Sequence, residues 1–293
     1  MKTILKLPII LLASLLLFSC EEVIDIKLDQ GESQLAVDAL LAVENGPQKI
    51  RLTLSRPYFE NKTADAVSGA ELSLVRKPDG KVYSFSESST SPGDYFSSEA
   101  LEGMPLNEFE LSIKWNGNEF RAVSMLPRKQ VIDSLRQGYR ESEFGNDPGT
   151  YLDLYANDLQ TNPSYRLPDF FWLRYSLNGV KNLRLGNILV GSDAAFRPGV
   201  ADGLPYIYPV RNSINTNKPY LLGDSIEVEL YSIDAENFRF LTEMQTQLTN
   251  TGLFAQPAAN VKGNIVNVNL DSKVQAIGNF GVCQLSKAGI KVK

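Results

Sequence analysis

Phe109-Glu-Leu-Ser-Ile-Lys-Trp115, then Asn116-Gly117-Asn118, then Phe120-Arg-Ala-Val-Ser-Met125 reads as a strand, a tight turn and a returning strand. Phe109, Leu111, Ile113 and Trp115 alternate with Glu110, Ser112 and Lys114, so one face is apolar with a period of two. Asn-Gly supplies the positive backbone angles that a two-residue hairpin turn needs. The same pattern extends toward the N-terminus. Gln34 to Val43 places Leu35, Val37, Ala39, Leu41 and Val43 on one face. Asn45-Gly46-Pro47 turns the chain, and Ile50, Leu52 and Leu54 alternate on the way back. Ala70, Leu72 and Leu74 predict a third strand, Pro78-Asp79-Gly80 a turn, Val82 to Phe85 a fourth strand, and Tyr95-Phe96 the start of another. Short strands at regular spacing, with turn chemistry between them, predict a β-sandwich over residues 34–127. It is immunoglobulin-like or fibronectin-like by pattern, without the Cys-Trp-Cys core of antibody domains.

Pro127 closes that unit, and Val131-Ile-Asp-Ser-Leu135 opens a second over residues 128–293. Tyr151 to Ala156 alternates, and Phe170 to Leu177 is the most apolar strand of the chain, turned back by Asn178-Gly179. Ile226, Val228 and Leu230 define a further strand. The one predicted helix covers residues 234–248. Phe238, Leu241, Gln245 and Leu248 recur at three- and four-residue steps, with Phe240 and Met244 widening the apolar face. Ser232 or Asp234 can cap its start, and Asn250 to Gly252 its end. Two final strands are expected, Ile277 to Leu285 and Gly289 to Val292. The fold expected is therefore mainly β, with two sandwich-like domains and one amphipathic helix in the second.

Composition narrows the chemistry. Of 293 residues, 43% are hydrophobic and 22% charged, enough apolar material for real cores. The formal charge of −5, without a basic run, makes a poor nucleic-acid binder, because phosphate contacts need clustered Lys and Arg. The chain has no histidine. That removes Ser-His-Asp and Cys-His catalysis in their usual forms, and His-containing zinc and iron sites. Carboxylate or lysine chemistry stays open. There are two cysteines, Cys20 and Cys283. Cys283 alternates within Asn279-Phe-Gly-Val-Cys-Gln-Leu285 and reads as a small buried hydrophobe.

Met1 to Ser19 has the parts of an export signal: Lys2 and Lys6, then an apolar run from Leu7 to Phe18 broken only by Ser14. The run is too short to span a bilayer, which takes about 20 apolar residues. Leu17-Phe18-Ser19-Cys20 matches the Leu-x-small-Cys box of bacterial lipoproteins, with Phe18 bulkier than usual. Cleavage there makes Cys20 the lipidated N-terminus and takes the formal charge to −7. A diacylglyceryl group plus an N-acyl chain gives stable anchoring, where one chain alone is marginal. An ordinary secretory signal with a chance cysteine is the plainer alternative. Residues 20–33, with Glu21, Glu22 and Asp25, form an acidic tether. That cluster resembles a surface-export signal of Bacteroidota lipoproteins; a solvated tether explains it equally.

Several stretches resemble an uncharacterised Bacteroidota lipoprotein family, the domain of unknown function 4249. They are Cys20 to Ile26, Val67-Ser-Gly-Ala-Glu-Leu72, Leu126-Pro127 with Ile132 to Leu135, Gly223 to Ser232, Phe254 to Asn264, and Gly278-Asn-Phe-Gly281. Ala66 stands where the family usually has proline, and Val266 to Leu270 departs from an expected Gly-containing stretch. The resemblance implies an outer-membrane lipoprotein, lipid-anchored and facing either the periplasm or the cell surface. It also implies a TonB-dependent receptor as partner. It carries no catalytic residues.

Candidate sites are few. Trp172, Tyr206 and Tyr208 could form an aromatic binding surface for a glycan or peptide, since aromatic side chains bury large area at modest entropy cost. Alternatively Trp172 covers the outer sheet face against the helix. Glu141, Glu143, Asn146 and Asp147 offer oxygen ligands for Ca²⁺ but lack EF-hand spacing. Asp153 with Asp158, and Glu227 with Glu229, are carboxylate pairs that a glycosidase could use; solvated strand faces explain them as well. No cofactor is implied. The expectation is a non-enzymatic lipoprotein, an accessory or ligand-capture subunit of a TonB-dependent uptake system. A stand-alone adhesin or envelope structural module is the alternative, and a carboxylate-based glycan hydrolase a third.

Overall fold

A computed structural model describes residues 32–57, 60, 62–143, 145–160, 167–182, 188–192, 203–208, 210–250 and 261–293. The fold is mainly β with one α-helix among the described residues. The hairpin at residues 108–125 forms as its residue types require. Strand β6 (Glu108–Trp115) pairs with β7 (Asn118–Met125), Trp115 opposite Asn118. Asn116 and Gly117 both take positive φ, 48° and 73°, the geometry that matches strand twist in a two-residue turn.

Six further strands complete the first half: β1 (Leu35–Ala42), β2 (Pro47–Leu54), β3 (Glu71–Arg76), β4 (Lys81–Glu87), β5 (Asp94–Ala100) and the short β14 (Val266–Asn267). They join in the order β1-β2-β5-β4-β3-β6-β7-β14. The sheet curls until β7 returns beside the C-terminal strand β15 (Ala276–Lys291), where the Val282 amide donates to Ser124 Oγ at 2.9 Å. Leu35, Val37, Leu41, Ile50, Leu52, Phe109, Leu111 and Ile113 point into the enclosed core, as their alternation predicts. Each such side chain contributes about 1.5–3 kcal/mol on burial.

The second half adds β10 (Phe170–Leu177), β11 (Val180–Lys181), β12 (Leu189–Ser192) and β13 (Ser225–Ile233) to the same sheet, in the order β11-β10-β13-β15 with β12 on β10. A separate two-stranded sheet, β8 (Ile132–Arg140) with β9 (Gly149–Ala156), lies across it. Leu152 and Leu154 meet Phe171, Leu173, Ile226, Val228 and Leu230 in a second core between the two sheets.

The C-terminus differs from its expected pair of strands. It is one strand of 16 residues that serves both cores. Residues 276–283 pair in parallel with β1, and residues 284–291 pair antiparallel with β13. Phe280 and Val282 face the first core, and Ala288 and Ile290, on the same side, face the second. The opposite face carries Cys283 and Leu285, both buried. A strand covered on both sides carries a continuous apolar run, which is what residues 280–283 supply. The first core thus takes in Ile265, Phe280 and Val282 as well as residues 35–126.

The segment around residues 126–132, expected as the junction, is built into the fold. Leu126 and Gln130 are fully buried. The Gln130 amide donates to Ser232 Oγ at 2.8 Å, and the Ile132 amide donates to Ser286 Oγ at 3.0 Å. Arg128 forms an ion pair with buried Asp169. Buried polar groups need partners, so these serines bind a non-strand segment to the sheet.

Candidate functional site

Helix α1 (Ala235–Thr249) lies on the outer face of the large sheet. Asp234 is its N-cap, with Oδ1 accepting from the Asn237 amide at 2.9 Å. Its other oxygen accepts from Ser124 Oγ and from the Met125 amide, so the cap also ties the helix to β7. A cap residue satisfies donors that the first helical turn leaves without intrahelical partners.

Three asparagines extend this attachment. Asn279 Nδ2 donates to Asn237 Oδ1 at 2.8 Å, and its Oδ1 accepts from the Asn264 amide. Asn264 bonds both backbone groups of Phe280, accepting from N at 2.9 Å and donating to O at 2.8 Å, as a neighbouring strand would. The backbones here approach too closely for side chains. A Cβ on Gly278, where φ is +95°, would lie 2.0 Å from Val37 O, and one on Gly263 would lie 1.7 Å from Gly278 O. Gly263-Asn264 and Gly278-Asn-Phe-Gly281 are therefore the fastening between helix, β1 and β15. Sequence periodicity does not expose that role, because small polar residues and glycines read as loop.

Past this fastening, Phe238 stacks on Phe170 with ring centroids 4.6 Å apart. The next turns stand off the sheet. Phe240, Leu241 and Met244 look into a cavity of about 470 Å³, walled on the other side by residues of β1, β10, β12 and β15. That volume falls within the usual range for small-molecule pockets, about 300–1,000 Å³. Its walls are mainly apolar, with Leu40, Trp172, Ile188 and Leu189 facing the helix side chains. Half-buried Arg174 reaches the same space, with its guanidinium carbon 4.8 Å from the Trp172 ring centroid and 5.9 Å from that of Tyr231. Burial, then the nearby Glu229 carboxylate, raises the Tyr231 phenol above its usual range, so Tyr231 stays neutral.

The three aromatic residues singled out in the sequence do not assemble into one surface. Trp172 lines the cavity. Tyr206 is fully buried in the second core, stacked on Phe171 at 5.1 Å, and its hydroxyl donates to Gln130. Phe171 and Trp172 are neighbours on one strand, so Tyr206 lies on the face of β10 opposite Trp172. The cause is backbone pairing: the Tyr206 amide donates to Ala156 O at 2.8 Å, extending the end of β9 and drawing the ring inward. Tyr208 is exposed and donates to Asp153 Oδ1 at 3.1 Å, away from the cavity. Partial burial, then Asp153, raises its phenol. Cys20 and the signal segment lie outside the described residues.

Asp153 also pairs with Arg140 at 2.8 Å, Asp158 is buried, and Glu229 accepts from Tyr231 at 3.0 Å. In the 141–147 loop, Ser142 Oγ donates to Asn146 O and the Asp147 amide to Asn217 O. Among the described residues no group of three or more Cys, Asp or Glu side chains is placed to hold a metal ion. Nor is any described helix long and apolar enough to cross a membrane.

A family model, described as Domain of unknown function (DUF4249), matches residues 21–288. No curated protein matches the chain.

Proposed function

The chain belongs to the DUF4249 family, and from that premise we propose that it is a non-enzymatic lipoprotein of a Bacteroidota outer membrane. Cys20 carries the lipid, and the described body works as the ligand-capture or accessory subunit of a TonB-dependent uptake system. The observation that carries this reading is the cavity beneath α1. It is formed by one end of a pinned helix and the outer face of a sheet, and it is walled mainly by apolar side chains, with Arg174 on β10 and Asp38 apart from it on β1. The export-signal pattern ending at Leu17-Phe18-Ser19-Cys20 supports the anchor.

A mild-detergent pull-down from native membranes, read by mass spectrometry, tests the partner. A TonB-dependent receptor recovered in near-equal amount is the expected result. Recovery of the chain alone sinks the subunit reading. Cys20→Ala tests the anchor: an acylated, membrane-bound product in that variant overturns it.

A further inference from the structure

We infer that the cavity beneath α1 takes an amphipathic carboxylate, its acid group on Arg174 and its apolar body along the helix. This rests on the reading of the cavity as a ligand site. Among the described residues the Arg174 side chain makes no hydrogen bond or ion pair; aromatic faces hold it in place. A guanidinium fixed in this way offers a planar fork of donors that fits a carboxylate in bidentate fashion. Trp172, by carrying that cation on its ring, is the positioning residue for Arg174.

The remaining walls define the rest of the ligand. Leu40, Leu241, Met244 and Leu189 are aliphatic, and the thioether of Met244 adapts to irregular shapes. Asn237 and Asn279 are engaged with each other and with neighbouring backbone groups. A glycan would need free hydroxyl partners along its length, so these walls fit a hydrocarbon body better.

Two carboxylates bear on the charge. Glu229, opposite Arg174 on β13, accepts from Tyr231 and lies 3.8 Å from Lys181. Asp38 lines the far end on β1, across from Arg51. Strands β13 and β15 separate β1 from β10, about 14 Å across the sheet at roughly 4.8 Å per strand, and Asp38 stands level with Asn279 where Arg174 stands level with Lys287, so the two are farther apart than that. An anionic head therefore meets Arg174 without meeting Asp38.

The test uses the complete exported chain carrying Cys20→Ala, which needs no detergent. Dodecanoate, 1-dodecanol and dodecylammonium, each below its aggregation limit, are titrated by calorimetry and, in a Trp115→Phe background, by the fluorescence of Trp172. The expected result is that dodecanoate binds most tightly. Arg174→Gln should weaken dodecanoate roughly tenfold to a hundredfold, the range for a charge-assisted hydrogen bond, and leave dodecanol within about twofold. Met244→Trp, which fills the space, should weaken both. Dodecanol or dodecylammonium binding as tightly as dodecanoate overturns the carboxylate assignment and leaves the cavity as a ligand site. So does an Arg174→Gln loss under about threefold. If none of the three probes binds, both readings fall.

Discussion

Asp234→Ala tests how the helix is held over the cavity. The substitution removes an N-cap, which costs about 0.5–2 kcal/mol. It also removes the acceptor for Ser124 Oγ and the Met125 amide. Ser124 is only 3% exposed. A buried donor left without its charged acceptor costs about 1.5–3 kcal/mol. Asp234 itself is half-buried, so water recovers part of the loss, and the total comes to about 2–4 kcal/mol. Asp234→Asn keeps a good cap and should cost about half as much. Urea unfolding, followed by tryptophan fluorescence, reads the change as a shift in midpoint at constant slope. Ser124→Ala and the double variant complete a cycle, with a coupling of at least about 0.5 kcal/mol expected for groups in one network. An Asp234→Ala variant within about 0.5 kcal/mol of the parent refutes the reasoning. So does a double variant that costs the sum of the two singles, because the cap would then act on the helix alone.

Three further substitutions test other places in the fold. Gly278→Ala puts a Cβ 2.0 Å from Val37 O at φ +95°, so it should cost more than about 4 kcal/mol or yield insoluble protein. By contrast Gly80→Ala, at φ +69° in open space, should cost only about 1–2 kcal/mol in a thermal melt. At the β3–β4 turn, hydrogen bonds from the Arg76 guanidinium, at 2.9 and 2.6 Å, hold the Asp79 carboxyl down to about 2 from its ordinary 3.8. A depressed folded-state value stabilises the protein above the ordinary value, and that stabilisation is lost as pH falls from 3.8 toward 2. Melts of the parent and Asp79→Asn should therefore differ by a constant amount between pH 5 and 7 and converge near pH 2.

Much of the molecule is legible residue by residue. The faces of β1, β2 and β6 follow from alternation, the Asn116-Gly117 turn from backbone sterics, and α1 from its cap and its three- and four-residue spacing. These depend on interactions within a few residues, or between one face and its solvent. Part of the candidate site is legible too: alternation sets Trp172 on the face of its strand opposite Phe171 and Leu173, and the cavity lies on that face. The burial of Tyr206 has no local signal, because it depends on pairing with Ala156, 50 residues away. Arg174 carried no local signal, since an arginine alternating with apolar residues describes any half-exposed strand.

What the amino-acid sequence determined by itself is the β class, the alternating strands and turns of residues 35–125, helix α1 and an export-signal pattern. What only the tertiary structure decided is that the last strand lies parallel to the first, residues 276–283 beside 35–42, and then runs on to complete a second core. Strand pairing across such a separation is chosen by which faces can be buried together, a property of the assembled chain. The same assembly brings helix, first strand and last strand close enough to leave a cavity between them.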